Sequence, residues 1–124
     1  MANTFKIKTK GGVSNSSLDT IYTVPSATTT IVLGMSLCNK TTQGITADVQ
    51  LVSDTSDTET NTTIFLLKSV SIPASSTLEV FGGQKLVLQT TDVVKAQSST
   101  ASALDMSVAS ATESIKSALF TTLS

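Results

Sequence analysis

The sequence predicts an all-β protein, a single β-sandwich of jelly-roll or immunoglobulin-like type with about eight strands. Short runs of β-branched and aliphatic residues recur along the chain, separated by Gly, Pro, Asn, Ser and Asp. Ser and Thr together fill 41 of the 124 positions, while aromatic residues make up only 4%. We therefore expect a thin aliphatic core between two facing sheets, with a hydroxyl-rich surface. A chain of this length is typical of one domain.

The predicted strands lie between residues 20 and 109, which we interpret as the sandwich domain. Each strand is an apolar or alternating run that ends at turn-forming residues. The strands comprise residues 20–24, 31–38, 45–52, 64–70, 78–81, 86–89, 93–97 and 104–109. The missing amide hydrogen of Pro73 should end strand pairing there, and Gly82-Gly83 should form a tight turn.

Two consecutive strands show the clearest alternation of apolar and polar residues. In strand 31–38 one face carries Ile31, Leu33, Met35 and Leu37. This face should be fully buried, and the strand should be central. In strand 45–52 the face predicted to point into the core carries Ile45, Ala47, Val49 and Leu51. Residues 39–44, between these strands, should form a turn.

Residues 1–19 are interpreted as an N-terminal arm outside the sandwich. The arm contains one strand-like piece, in which Phe5 and Ile7 alternate with Lys6, Lys8 and Lys10. The lysines either contact an acidic partner or mark an edge strand that they protect from aggregation, and we favour the edge strand. The following segment, GGVSNSS, is expected to be flexible.

Residues 110–124 are interpreted as a C-terminal tail. Ser110 and Glu113 have the spacing of a capping box ahead of Ile115, Ala118 and Leu119, which predicts a short amphipathic helix. The alternation of Ile115, Leu119 and Leu123 fits a strand as well. The apolar residues of both termini need a surface to bury against. We therefore predict a protein interface formed by Phe5, Ile7, Ile115, Leu119 and Phe120.

Charge and composition disfavour two classes of partner. Eight lysines and nine acidic residues give a net charge of -1, whereas nucleic acids and anionic membranes both select clustered cations. No apolar run approaches the length of a membrane span, and the N-terminal residues lack the apolar region of a secretory signal, so we expect synthesis in a cytoplasm. The single cysteine, Cys38, is expected to be a small buried hydrophobic residue.

The sequence offers little for catalysis, and we expect no enzyme activity, no catalytic residue and no cofactor. It contains no His, so an activated Ser or Cys would have no imidazole as its base. Neither Gly-Gly pair continues into the Gly-Lys-Ser/Thr of a phosphate-binding loop. Loop 53–63 carries oxygen side chains that could bind calcium, but their spacing is not that of an EF-hand loop. We therefore expect a solvated loop, with calcium binding as the alternative. The candidate ligands are Asp54, Asp57, Glu59 and Asn61.

Several short motifs between residues 20 and 108 occur in an order that resembles a known family. They are Val24-Pro25, Leu33-Gly34, Ile72-Pro73, Leu78-Glu79 and GQKLVL at residues 83–88. In this order they resemble small virion structural proteins of tailed bacteriophages, notably those of cyanobacterial phages. The residues after Ala109 depart from that pattern.

The resemblance implies a structural role in a virion and no catalysis. We therefore expect a capsid decoration or cement protein, located in the virion and assembled in the host bacterial cytoplasm. Its expected partners are the major capsid protein or other virion structural proteins, and we expect a homo-oligomer, for which a trimer is the first choice. A neck, tail or fibre-associated role is one alternative. A carbohydrate-binding adhesive module is the other; its sugar-stacking residue would be one of the five aromatics, and Tyr22 is the one to test by substitution. The five are Phe5, Tyr22, Phe65, Phe81 and Phe120.

Overall fold

The computed structural model describes residues 4–25, 27–53, 62–80 and 85–114, and over these residues it confirms the predicted all-β sandwich. The described part of the chain forms nine strands and no helix. The strands are β1 (Thr4–Lys10), β2 (Asp19–Thr23), β3 (Thr28–Asn39), β4 (Ile45–Val52), β5 (Ile64–Ile72), β6 (Thr77–Glu79), β7 (Leu86–Leu88), β8 (Val93–Ser98) and β9 (Leu104–Ser114). Strands β2 to β9 correspond to the eight predicted runs, and β1 corresponds to the strand-like piece predicted in the N-terminal arm.

Two antiparallel sheets pack face to face. Sheet A has the strand order β1-β9-β3-β6, and β7 also pairs with β3. β6 and β7 share the edge of β3 that faces away from β9, with β6 opposite residues 36–38 and β7 opposite residues 30–32. Sheet B has the order β2-β8-β4-β5. The chain crosses between the sheets at most of its connections, so the core is assembled from residues distant in sequence.

The core between the sheets is aliphatic, as predicted. All four residues of β4 on the face predicted to point inward are buried, and β9 contributes the alternate residues Leu104, Met106 and Val108. Among the described residues, no aromatic side chain is fully buried in this core. A core of Val, Leu, Ile, Ala and Met fits the narrow space between two sheets about 10 Å apart.

β3 contains a bulge that changes which of its side chains are buried. The register against β9 shifts between Val32 and Gly34, so Leu33 is an extra residue in the strand. Before the bulge the even-numbered residues, such as Val32, face the core. After it the odd-numbered residues, such as Met35, face the core. The prediction that Ile31 and Leu33 share a buried face with Met35 is therefore wrong. The buried residues of β3 are Thr30, Val32, Met35, Leu37 and Asn39.

β1 is an edge strand of sheet A. Its residues pair in register with β9, from Thr4 opposite Thr112 to Lys10 opposite Met106. All seven residues of β1 are exposed, so the strand is held by backbone pairing and is not packed between the sheets. The predicted edge strand with its alternating lysines is therefore present.

The segment after β1 is not the flexible linker that the sequence predicts. Val13 is completely buried in the core, and its amide donates a hydrogen bond to the carbonyl of Leu104 in β9 at 2.8 Å. The next residue, Ser14, accepts a hydrogen bond at its carbonyl from the amide of Ser98 in β8 at 3.0 Å. Residues 13 and 14 therefore connect sheet A to sheet B. Val13 stands alone among Gly and Ser residues, so no sequence pattern marks it as a core residue.

β9 extends beyond the predicted strand 104–109. It continues to Ser114 and pairs with β3 over almost its whole length. The capping box predicted at Ser110 and Glu113 does not form, because these residues lie opposite Val32 and Thr29 in sheet A. The rest of the predicted tail, residues 115–124, lies outside the described residues, as does the predicted turn at Gly82-Gly83. β5 ends immediately before Pro73, as predicted.

Asn39 closes one end of the sandwich. It is the last residue of β3 and is fully buried, although the sequence predicts that it begins a turn. The two hydrogens of its Nδ2 are shared among three carbonyls, those of Gln43 at 2.7 Å, Ile72 at 3.1 Å and Pro73 at 3.1 Å. Its Oδ1 accepts hydrogen bonds from the amide of Thr41 at 3.0 Å and from the hydroxyl of Thr41 at 2.7 Å. The side chain therefore joins the end of β3 in sheet A to the end of β5 in sheet B.

Candidate interaction surface

The outer face of sheet B is mainly polar, although Phe65 in β5 is 44% exposed. The ammonium group of Lys68 lies 3.3 Å from the carboxylate of Asp48 and 4.6 Å from the centre of the Phe65 ring. Asp48 also accepts a hydrogen bond from the amide of Ser69 at 2.6 Å. Polar residues of β4 and β8 surround this group, and its charges are paired. The face has the character of a solvated surface.

The outer face of sheet A is different, because apolar side chains form a row across four of its strands. Phe5 in β1 lies opposite Ala111 in β9, Ala111 lies opposite Ile31 in β3, and Ile31 lies opposite Val87 in β7. Phe5 is 73% exposed and Val87 is 62% exposed. Residues directly opposite each other in neighbouring strands have their side chains about 5 Å apart. The row is therefore a continuous apolar strip.

A second row lies beside the first. Ile7, which is 67% exposed, is opposite Ala109, and Ala109 is opposite Gly34. The bulge places the extra residue, Leu33, beside Gly34 on the same outer face, where it is 38% exposed. We call these two rows the apolar face. The apolar face comprises Phe5, Ile7, Ile31, Leu33, Gly34, Val87, Ala109 and Ala111.

The apolar face is large enough to act as a binding surface. Its four most exposed side chains present on the order of 400 Å² of apolar surface, which is comparable to the largest patch on a typical monomeric protein. They are Phe5, Ile7, Leu33 and Val87. No charged residue occurs in the two rows, whereas interaction sites on proteins are often apolar in the centre and polar at the rim. The surface suits contact with another apolar protein surface.

The apolar face is bordered by a shallow depression at the other end of sheet A, lined by both polar and apolar residues. The hydroxyls of Ser36 and Ser107 share a hydrogen bond of 2.7 Å across β3 and β9. Together with Thr9, Cys38 and Asp105 they line a concavity of about 370 Å³. The prediction that Cys38 is a buried hydrophobic residue is wrong, because its side chain faces this depression and is only half-buried.

Asp105 connects β9 to the segment that follows β1. Its carboxylate accepts a hydrogen bond from the amide of Gly12 at 2.9 Å and lies 3.0 Å from the ammonium group of Lys40. The amide of Gly12, and after it the ammonium of Lys40, hold the pKa of Asp105 below its ordinary value. The ionised carboxylate therefore helps to fix the chain where it leaves β1.

We expect acidification to release the contact between Asp105 and Gly12. A carboxyl whose pKa is lower in the folded than in the unfolded protein contributes stability above its ordinary pKa of 3.8, and that contribution is lost as the pH falls through the folded value. The carboxylate is partly exposed, so the effect should be local. Hydrogen exchange of the Gly12 amide, corrected for its intrinsic pH dependence, should show reduced protection below about pH 4. Asp105→Asn should remove this step, and an identical profile in both proteins would contradict the assignment.

The structure describes two of the five predicted interface residues. Phe5 and Ile7 lie side by side on the same face of β1 and are strongly exposed. The other three, Ile115, Leu119 and Phe120, lie outside the described residues. Sequence reasoning missed Ile31, Leu33 and Val87 because all three lie in strands whose composition is typical of core strands. The Leu33-Gly34 pair was the available signal, since a glycine inside a strand often marks a bulge.

The described residues give little support to the predicted sugar-binding and calcium-binding sites. Tyr22 is partly buried against the core, and its hydroxyl shares a hydrogen bond of 2.8 Å with the hydroxyl of buried Thr30, so its ring is poorly placed to stack on a sugar. The four candidate calcium ligands, Asp54, Asp57, Glu59 and Asn61, lie outside the described residues. Within the described ranges, no group of three or more His, Cys, Asp or Glu side chains is arranged to hold a metal ion.

The fold and this surface together define an all-β sandwich with one mainly polar outer face and one apolar outer face. No protein-family model and no curated protein matches the chain. In the described part of the chain, no helix has the length and hydrophobicity needed to cross a membrane.

Proposed function

We propose that this protein is a structural component of a tailed-bacteriophage virion, and specifically a capsid decoration or cement protein that acts by protein contact and not by catalysis. Its proposed partners are the major capsid protein or other virion structural proteins, and its proposed location is the assembled particle. The order of turn and strand motifs that resembles phage virion proteins motivates the proposal.

The apolar face is the observation that carries the proposal. Phe5 and Ile7 project from an edge strand that contributes nothing to the core, so their exposure has no explanation in the folding of one chain. Burying such side chains against a partner is favourable by roughly 25 cal/mol per Å² of apolar surface. A protein that coats a lattice requires a face of this kind, with a rigid sandwich behind it.

Repetition would strengthen a contact of modest area. A lattice offers many equivalent sites, and copies that touch both the lattice and each other bind with an effective concentration set by their spacing. Avidity of this kind reinforces a shell even when each single contact is weak. Self-association of the protein would fit the same role.

A neck, tail or fibre-associated position in the same particle is the alternative, because a sandwich with an apolar face would serve equally well there. Copy number separates the two positions. Quantitative mass spectrometry of purified virions, paired with particle imaging, should find roughly hundreds of copies on the head for a decoration protein, and about a dozen or fewer for a neck or tail protein. Absence from purified particles would overturn the virion proposal.

A further inference from the structure

We infer that the apolar face binds the same face of a second copy of this chain, with a twofold axis parallel to the strands. The inference deepens the proposed function by naming the partner of this face, and it rests on that proposal only for its role in a particle. The face itself carries the geometric argument.

The apolar face alternates between large and small side chains from strand to strand. β1 presents Phe5 and Ile7, and β9 beside it presents only Ala109 and Ala111. The next strand, β3, presents Ile31 together with Leu33 from the bulge, and β7 at the far edge presents Val87. The alanine pair on β9 therefore forms a shallow channel between the larger side chains of β1 and those of β3. Gly34 keeps this channel open, because no atom lies within 4 Å of the position that a side chain would occupy there.

A surface with this pattern is complementary to itself. A twofold axis between β9 and β3 places β9 of each copy over β3 of the other, so that Ala109 and Ala111 face Ile31 and Leu33 of the second copy. The same operation places β1 over β7, and Phe5 then meets Val87 of the second copy. The paired residues share a row, as the register of sheet A requires. Two sheets that pack face to face keep their strands within about 30° of each other, which preserves this correspondence.

The charges favour face-to-face contact over edge-to-edge contact. The two rows carry no charged residue, so two copies can approach without repulsion. Pairing of β1 with β1 of another copy would instead bring two sets of exposed lysines together, Lys6, Lys8 and Lys10. The lysines therefore oppose extension of sheet A at this edge and leave its outer face as the route to association.

The available area predicts a weak dimer. Four strands spaced about 4.8 Å apart make the apolar face about 19 Å wide. With its flanking residues the face offers roughly 600 Å² per copy, which is below the roughly 800 Å² per partner of a standard interface. An interface of this size lies at the low end of specific contacts, so we expect a reversible dimer that dissociates on dilution.

Sedimentation equilibrium of the full-length protein tests the inference. Between about 5 and about 300 µM, the average mass should rise from the 12.8 kDa of one chain towards twice that value. Ala111→Glu places a carboxylate in the channel and should weaken association at least tenfold. Phe5→Ser should weaken association similarly, and it changes a side chain that is largely exposed in the single chain. The matched control is Thr46→Glu on the exposed outer face of sheet B, which should associate like the wild type.

Other outcomes overturn the inference. A chain that stays monomeric over this range has no such interface, and a chain that forms trimers lacks the twofold contact. Association that survives both Ala111→Glu and Phe5→Ser uses another surface. A monomeric protein that nevertheless binds virions through Phe5 and Ile7 would assign the apolar face to the shell protein, leaving the proposed function intact. A dimer that is absent from purified virions would overturn the proposed function and leave the inferred interface intact.

Discussion

Replacement of Asn39 by Asp should destabilise the protein by about 3 to 4 kcal/mol at neutral pH. The amide nitrogen of Asn39 donates to three carbonyl groups, those of Gln43, Ile72 and Pro73. An ionised carboxylate at the same place donates to none of them and sets its negative charge against their oxygens in a buried site. The bond between the ends of the two sheets would be replaced by repulsion, and chemical or thermal unfolding would measure the loss.

The Asn39→Asp variant should also be less unstable in acid than at neutral pH. Burial among carbonyl oxygens should raise the pKa of the introduced carboxyl in the folded protein above its unfolded value. The protonated carboxyl can donate one hydrogen bond, so the stability of the variant should fall as the pH rises through the range between the unfolded and folded pKa values. The wild type should not show this additional pH dependence.

A matched control makes the same chemical change on the surface. Asn15 is exposed, and Asn15→Asp should alter the free energy of unfolding by no more than about 0.5 kcal/mol. Equal stability of the Asn39→Asp and Asn15→Asp variants would show that the hydrogen bonds of Asn39 contribute little. Asn39→Leu separates the two causes, because it removes the donor without adding charge and should be destabilising with no new pH dependence.

The double substitution Phe5→Ser and Ile7→Ser should lower binding to the particle about 100-fold while leaving the unfolding transition unchanged, because copies that cannot pair through the apolar face lose the avidity of the pair. Full burial of such side chains contributes about 1.5 to 3 kcal/mol each, and about 1.4 kcal/mol corresponds to a tenfold change in affinity. Because all of β1 is exposed, the two side chains contribute almost nothing to the core. Reconstitution of virions that lack the protein, with occupancy measured by quantitative mass spectrometry, would give the ratio.

The opposite face of the same strand supplies the control for this experiment. Lys6→Ser and Lys8→Ser change two exposed residues of β1 that point away from the apolar face. This variant should bind particles within a few-fold of the wild type at physiological salt. If the lysine variant loses binding and the apolar variant retains it, β1 contacts an acidic partner and the apolar face does not strengthen attachment to the particle.

The fold class could be predicted because alternation is a strong local signal. β4 and β9 place every second residue in the core, as their sequences indicate. The parity change in β3 was not predictable from the same signal, because apolar residues occupy both faces of the run Ile31-Val32-Leu33. Only the pairing with β9, which is distant in sequence, determines that Val32 points inward. A bulge of this kind depends on pairing with a strand that is distant in sequence, and Gly34 is its only local indication in β3.

The buried polar and isolated apolar residues escaped prediction for a different reason. Asn39 has a residue type typical of turns, and it is buried because five hydrogen bonds satisfy its amide. Val13 is a single apolar residue among Gly, Ser and Asn, with no periodicity to mark it. In contrast, the alternation of Phe5 and Ile7 with lysines in a short terminal strand is enough to indicate that these two apolar residues lie outside the core. Their use as an interface remains a prediction.

Because β1 is attached mainly by backbone pairing with β9, the sequence of β1 and the sequence of the core meet different requirements. Val13 and the strands that follow fix the core, whereas residues 4–10 are required only to remain extended and to pair with β9. We therefore expect that substitutions in β1 change the proposed partner contact at little cost to folding. A strand of this kind lets the contact surface change in sequence independently of the sandwich behind it.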